Sequence, residues 1–223
     1  MIWIAREPTR TAKPDIFVSY SSRDKTAATR LSISLNLCAI DVWLDVWELE
    51  VGLRLPAAID KAMEVSRFIA PLITENYNKS FWTKREYEKA LARAQKDEHT
   101  VILPLLVGEA QMPAFLKDNI HIDLRRDYFA GVTSLVGKVH GLSQRRVSQA
   151  LADRPPQTVS DVWMLLESIG FKPYVVVGKD DFDEMLKHGG SLLPDGSAEF
   201  YPQVLLNSAN VSDHVKALVR DLS

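Results

Sequence analysis

Residues 15–24 read DIFVSYSSRD. An acidic residue opens an apolar run, a Ser-Tyr pair closes it, and a polar turn follows. DIFVSY (15–20) is a strand candidate, and residues 24–39 continue as a helix with Leu31, Leu35 and Cys38 on one face. Asp24 or Ser22 is placed to cap that helix. The same couplet of apolar run and amphipathic stretch then recurs. VWLD (42–45) precedes a helical stripe of Ala58, Ala62 and Val65 within 54–65, and RFIAPLI (67–73) precedes a helix running to about Lys96. VILPLLV (101–107) and HIDL (121–124) are further strands, and residues 128–140 close the set as a helix.

Strands that are apolar on both faces belong to a parallel sheet covered on both sides. The fold expected for residues 14–142 is therefore α/β: a flavodoxin-like parallel five-stranded sheet with helices on both faces. Pro71 and Pro104 cannot donate to a ladder, so each should lie at a strand end or bulge. Ligands of such sheets bind outside the carboxyl ends of the strands. Those ends are SYSSRD (19–24), DVWELEVG (45–52) and TENYNKSFW (74–82).

Residues 143–157, SQRRVSQALADRPPQ, are polar, end in two prolines, and read as a linker. A small α+β unit follows over 158–223. TVSDVWMLLESIG (158–170) has Val159, Val162, Trp163, Leu166 and Ile169 at helical spacing, with Gly170 as its stop. YVVVG (174–178) is a strand, DDFDEMLKHGG a short helix, PDG (194–196) a turn, EFYPQVLL (199–206) a strand and NVSDHVKALVRDL (210–222) a final helix. A unit this small should bury its apolar faces against the first one and serve assembly or regulation.

The chain has 223 residues, 46% hydrophobic and 25% charged, an ordinary globular balance. A net charge of −2 offers no basic field for nucleic acid or an anionic membrane. The one cysteine, Cys38, excludes an internal disulfide and fits a reducing compartment, the cytoplasm. The start, MIWIAREP, is too short an apolar stretch for a signal peptide, and VILPLLV is too short to span a bilayer. No phosphate-cradling glycine loop, CxxC pair, HExxH or GxSxG occurs, which argues against a zinc enzyme or a serine hydrolase.

What remains is one sequence of features at successive strand ends: DIFVSY, then Asp45, Trp47, Glu48 and Gly52 of DVWELEVG, then Trp82 four residues before Glu86 in FWTKRE. In this order the segments resemble the Toll/interleukin-1 receptor (TIR) domain, especially its bacterial NADase form. The second segment resembles the family's BB loop. The resemblance covers residues 14–142 and leaves the C-terminal unit outside it.

The resemblance implies that Glu86 is catalytic and that NAD⁺ is the substrate, with no cofactor. The chemistry suits a single carboxylate. Ordinary glycosidases need a second carboxyl to protonate the leaving group, but nicotinamide leaves NAD⁺ neutral. One carboxylate near the ribose then suffices to stabilise the oxocarbenium-like sugar. Trp82 would offer a flat apolar face. Asp45, Trp47 and Glu50 would belong to the loop on the far side, Arg54 would meet a phosphate, and Ser19, Tyr20 and Ser21 would offer hydroxyls. On pattern alone Ser21, Ser22 and Asp24 read as caps, and Glu86 as a solvated residue. The implied activity is NAD⁺ glycohydrolase or ADP-ribosyl cyclase in bacterial antiphage defence. Self-association through TIR units and the BB loop is implied with it, as is a downstream effector protein that senses the nucleotide product. The alternatives are a non-enzymatic TIR adaptor and, at the level of fold, a nucleoside deoxyribosyltransferase.

Overall fold

The computed structural model describes residues 2–6, 15–47, 66–79, 100–117, 120–177, 179–187, 189–194, 197–207 and 213–222. Two sheets form. The larger holds β2 (Ile16–Ser21), β3 (Val42–Trp47), β4 (Phe68–Ile73), β5 (Val101–Ile102), β6 (Leu105–Leu106) and β7 (Ile122–Asp123). Its order is β3-β2-β4-β6-β7, with β5 also on β4, and every pairing is parallel. The expected five-position parallel sheet is present. The fourth position is divided in two: Phe68 and Ile69 pair with β5, and Leu72 and Ile73 pair with β6. The gap lies at Ala70-Pro71 on one side and Leu103-Pro104 on the other, so the two prolines share one break in the ladder.

Successive side chains of a strand point to opposite faces. Ile16, Val18 and Tyr20 of β2, with Phe68, Ala70 and Leu72 of β4, enter the main core under α1 (Lys25–Asn36). Helix α1 contributes Ala28, Leu31 and Leu35 to it at helical spacing. After α2 (Glu75–Lys79), α3 (Tyr128–Val139) adds Val132, Leu135, Val136 and Val139. On the other face Ile73 and Leu106 pack with Tyr77 of α2 and with Leu116. Helix α3 approaches β7 closely at Gly131, where an added Cβ would stand 2.9 Å from the Asp123 carbonyl.

The second sheet corrects the domain reading in two places. Residues 143–157 are not a bare linker, because α4 (Gln144–Asp153) lies within them. Val147 is its one buried residue, which is why the stretch reads as polar. The small unit also takes in the start of the chain. Its sheet runs β8-β1-β10-β9, with β1 (Ile2–Arg6) parallel to β8 (Val175–Val177) and antiparallel to β10 (Ala198–Phe200), and with β9 (Ser191–Leu192) at the edge.

Helix α5 (Val159–Ser168) begins with a Thr158/Asp161 capping box. It ends before Gly170, at φ +90. Helix α6 spans Lys179–Lys187. The expected strand 199–206 stops at Phe200 and turns into α7 (Pro202–Asn207), since proline favours the first helical position and cannot extend a ladder. Helix α8 (Asp213–Leu222) follows.

The two units share one core. Val162, Trp163, Leu166, Phe182, Phe200 and Val219 belong to the same cluster as Ile16, Leu35 and Val136. At the seam the Trp163 indole N–H donates to the Leu37 carbonyl at 2.7 Å. The His140 ring lies on Phe171 at 4.4 Å and contacts the Cys38 carbonyl at 2.9 Å.

Candidate active site

The parallel topology brings β2, β3 and β4 to a common carboxyl edge. Register places Asp45 beside Ser19, Trp47 beside Ser21, and Pro71 on the other side of Ser19. The backbone thus brings together two of the three segments singled out in the sequence. The third, with Trp82 and Glu86, lies outside the described residues, as do Glu48, Glu50, Gly52 and Arg54. It follows α2 directly in the chain, and α2 itself begins just past the end of β4.

The three hydroxyl residues of β2 are all buried, and they divide between faces. Tyr20 packs into the core with α1. Ser19 and Ser21 take the opposite face by strand alternation. Ser19 Oγ stands 3.5 Å from Tyr77 Oη, at the outer limit of a hydrogen bond.

The capping expectation fails, and the reason is informative. Asp24 occupies the N-cap position of α1, yet its side chain makes no capping bond. The carboxylate reaches across to the end of β4 instead. Thr74 Oγ1 donates to Asp24 Oδ2 at 2.5 Å, and Asn76 Nδ2 donates to Asp24 Oδ1 at 2.7 Å. Ser21, at the N-cap of the single turn Ser22–Asp24, makes no capping bond either. Thr74, by contrast, does cap: the Tyr77 N–H donates to its Oγ1 at 2.9 Å. A threonine just past an apolar run is an ordinary N-cap signal, so Thr74 was readable from sequence; the tie to Asp24, fifty residues earlier, was not.

Further along the edge, Asp123 follows the same carboxyl-end logic on β7. The Arg125 guanidinium donates to it at 2.7 Å and holds its carboxyl down at about 2. Among the described residues no cluster of His, Cys, Asp and Glu is arranged to hold a metal ion. No described helix is long and apolar enough to cross a membrane.

A family model described as "TIR domain" matches residues 16–136, just over half of the chain, and this stretch contains both Trp82 and Glu86. Among curated proteins the chain is similar to the 2′ cyclic ADP-D-ribose synthase BtTIR of Bacteroides thetaiotaomicron. Identity there is 32% over 99 residues, or 44% of this chain and 34% of that protein. It is similar to the NAD(+) hydrolase TcpC of Escherichia coli O6:H1 at 30% identity, over 41% of this chain and 30% of the relative. It is also similar to the 2′ cyclic ADP-D-ribose synthase AbTIR of Acinetobacter baumannii at 32% identity, over 41% and 34% respectively. The chain spans about a third of the length of these relatives.

Proposed function

The chain belongs to the TIR domain family, and from that premise we propose that it cleaves NAD⁺ at the nicotinamide–ribose bond. The products are nicotinamide and either ADP-ribose or a cyclic ADP-ribose isomer. The observation that carries this reading is the Trp82/Glu86 pair within the matched stretch, in a chain whose similar proteins are named NAD(+) hydrolase and cyclic ADP-D-ribose synthase.

The bond between C1′ of the ribose and the ring nitrogen breaks heterolytically. Its electron pair stays with nicotinamide, which leaves uncharged, so no acid has to protonate it. Positive charge develops on the sugar, and the Glu86 carboxylate stabilises it. Water then attacks C1′ and loses a proton, or a hydroxyl of the same ADP-ribose does so and closes a ring. Trp82 supplies an apolar wall for a flat group of the substrate. Asp45, Trp47 and Glu50 belong to the opposite wall, Arg54 meets the diphosphate, and Ser19 and Ser21 supply hydroxyls from the strand edge. In this reading neighbouring protomers associate through the TIR unit, and the segment after β3 completes a partner's site. The biological setting is a cytoplasmic defence signal in bacteria, its product read by a separate effector.

The test is incubation of the purified chain with NAD⁺ over a series of protein concentrations, with products separated by mass. Nicotinamide release that rises more than proportionally with protein is the expected result. No release at any concentration, including under conditions where the protein is assembled, would sink the enzyme reading in favour of a TIR adaptor.

A further inference from the structure

We propose that Asp24 is a positioning residue for the NAD⁺-cleaving site: it clamps the start of α2, from which the chain runs directly into Trp82 and Glu86. The inference rests on the reading of Glu86 as the group that acts on NAD⁺, but its physical content is visible in the described residues.

The described part of α2, Glu75–Lys79, is held by particular ties to other elements. One carboxylate, Asp24, accepts from both Thr74 and Asn76, using a different oxygen for each. The Thr74 hydroxyl does two things at once: it donates to Asp24 and accepts from the Tyr77 N–H. Tyr77 is buried against Ile73, Leu106 and Leu116, with its hydroxyl beside Ser19. Asn78 Nδ2 donates to the Gln111 carbonyl at 2.9 Å.

The first turn of α2 is thus pinned to the head of α1, to β2 and to the segment after β6. Thr74 is 7% exposed and Tyr77 5%. Hydrogen bonds to a charged acceptor are short and strong, and where little water can replace them their loss is felt in geometry. At the head of α1 the carboxylate makes no capping bond. The acid is spent on the strand-end helix instead.

The expected consequence is a loss of rate more than of substrate affinity. Misplacement of a reacting group by about 1 Å costs on the order of 10²-fold. The experiment uses the full chain and five variants: Asp24→Ala, Asp24→Asn, Thr74→Val, Thr74→Ser and the double variant Asp24→Ala/Thr74→Val. Steady-state NAD⁺ cleavage is measured well below the melting transition of each variant, together with amide hydrogen exchange at Tyr77 and Asn78. Asp24→Ala and Thr74→Val should lower kcat by about 10–100-fold with KM within about twofold. Thr74→Ser keeps both hydroxyl roles and should stay near wild type; Asp24→Asn, with one acceptor oxygen left, should fall between. The double variant Asp24→Ala/Thr74→Val should be no slower than the worse single one, since both break one linkage. Exchange at Tyr77 and Asn78 should rise at least tenfold in Asp24→Ala.

Folded Asp24→Ala and Thr74→Val proteins with wild-type kcat would overturn the proposal, and so would unchanged exchange at these amides. If wild type itself cleaves no NAD⁺, the enzyme reading fails by itself. The exchange measurement then still decides whether Asp24 clamps α2.

Discussion

The seam between the two units and the carboxyl edge of the large sheet are both buried, but they are held by different physics. At the seam Trp163, 6% exposed, sinks into a continuous apolar core, and its indole N–H donates to the Leu37 carbonyl. His140 adds ring contact with Phe171. At the edge, Ser19 meets Tyr77, and Thr74 and Asn76 meet Asp24, through directional polar contacts. Apolar area is non-directional, so losing it weakens the fold without re-aiming anything. Polar bonds fix angles, so losing them moves groups. Apolar packing thus dominates at the seam, and directional polar bonds set positions at the edge.

Substitutions can break that contrast. Trp163→Ala should cost about 3–5 kcal/mol, read from a denaturant midpoint, and leave turnover per folded protomer unchanged. A stability close to wild type would show that the seam does not hold the two units. Glu86→Gln should do the reverse, with turnover down about 10²–10³-fold and an unchanged melt. If that variant kept its turnover, Glu86 would lose its role.

Gly131→Ala lies between the two extremes. The new methyl meets the Asp123 carbonyl, which cannot swing aside as a side chain would, and about 1–3 kcal/mol of stability should be lost. An alanine variant as stable as wild type would mean that α3 can shift off β7. The smallest effect is a pH slope. Burial pushes the His140 imidazole below its ordinary range, while its bond to the Cys38 carbonyl opposes that shift. The folded protein thus holds the ring neutral more firmly than the unfolded chain does. The unfolded state takes up the proton first as pH falls below about 6.5, so His140's contribution is complete above that value and is lost beneath it. Melting temperature should fall between pH 7.5 and 5.5, and His140→Gln should flatten the slope; an equal slope in the variant would place the titration elsewhere.

The apolar runs made the large sheet legible, because a strand buried on both faces carries its own signature. Ile16, Val18, Phe68 and Leu105 are where that pattern places them. The failures have local causes. Helix α4 buries only Val147, so its composition is that of a loop. EFYPQVLL is apolar enough for a strand, but Pro202 starts a helix. Residues 2–6 carry no local sign that their partners lie beyond residue 170.

At the candidate site, Ser19, Ser21, Asp45 and Trp47 come to one edge, as expected from the strand ends. Tyr20 parts from its neighbours because a strand alternates its sides. Asp24 was legible as a helix-start residue but not as a clamp, since the groups that claim its oxygens are about fifty residues away.

The position of β1 bears on how the molecule is made. The strand is a central member of the small sheet, paired through Ile4 to both Val175 and Ala198. It leaves the ribosome ahead of the large sheet, while its partners leave after it. At about 5–20 residues per second, the strand waits on the order of ten seconds or more with its ladder groups unpaired. The large sheet can close during that interval, whereas the small one cannot. The apolar face of α1 and α3 that receives Trp163 is likewise uncovered until α5 is made, so the nascent chain exposes strand edge and apolar surface together over that interval.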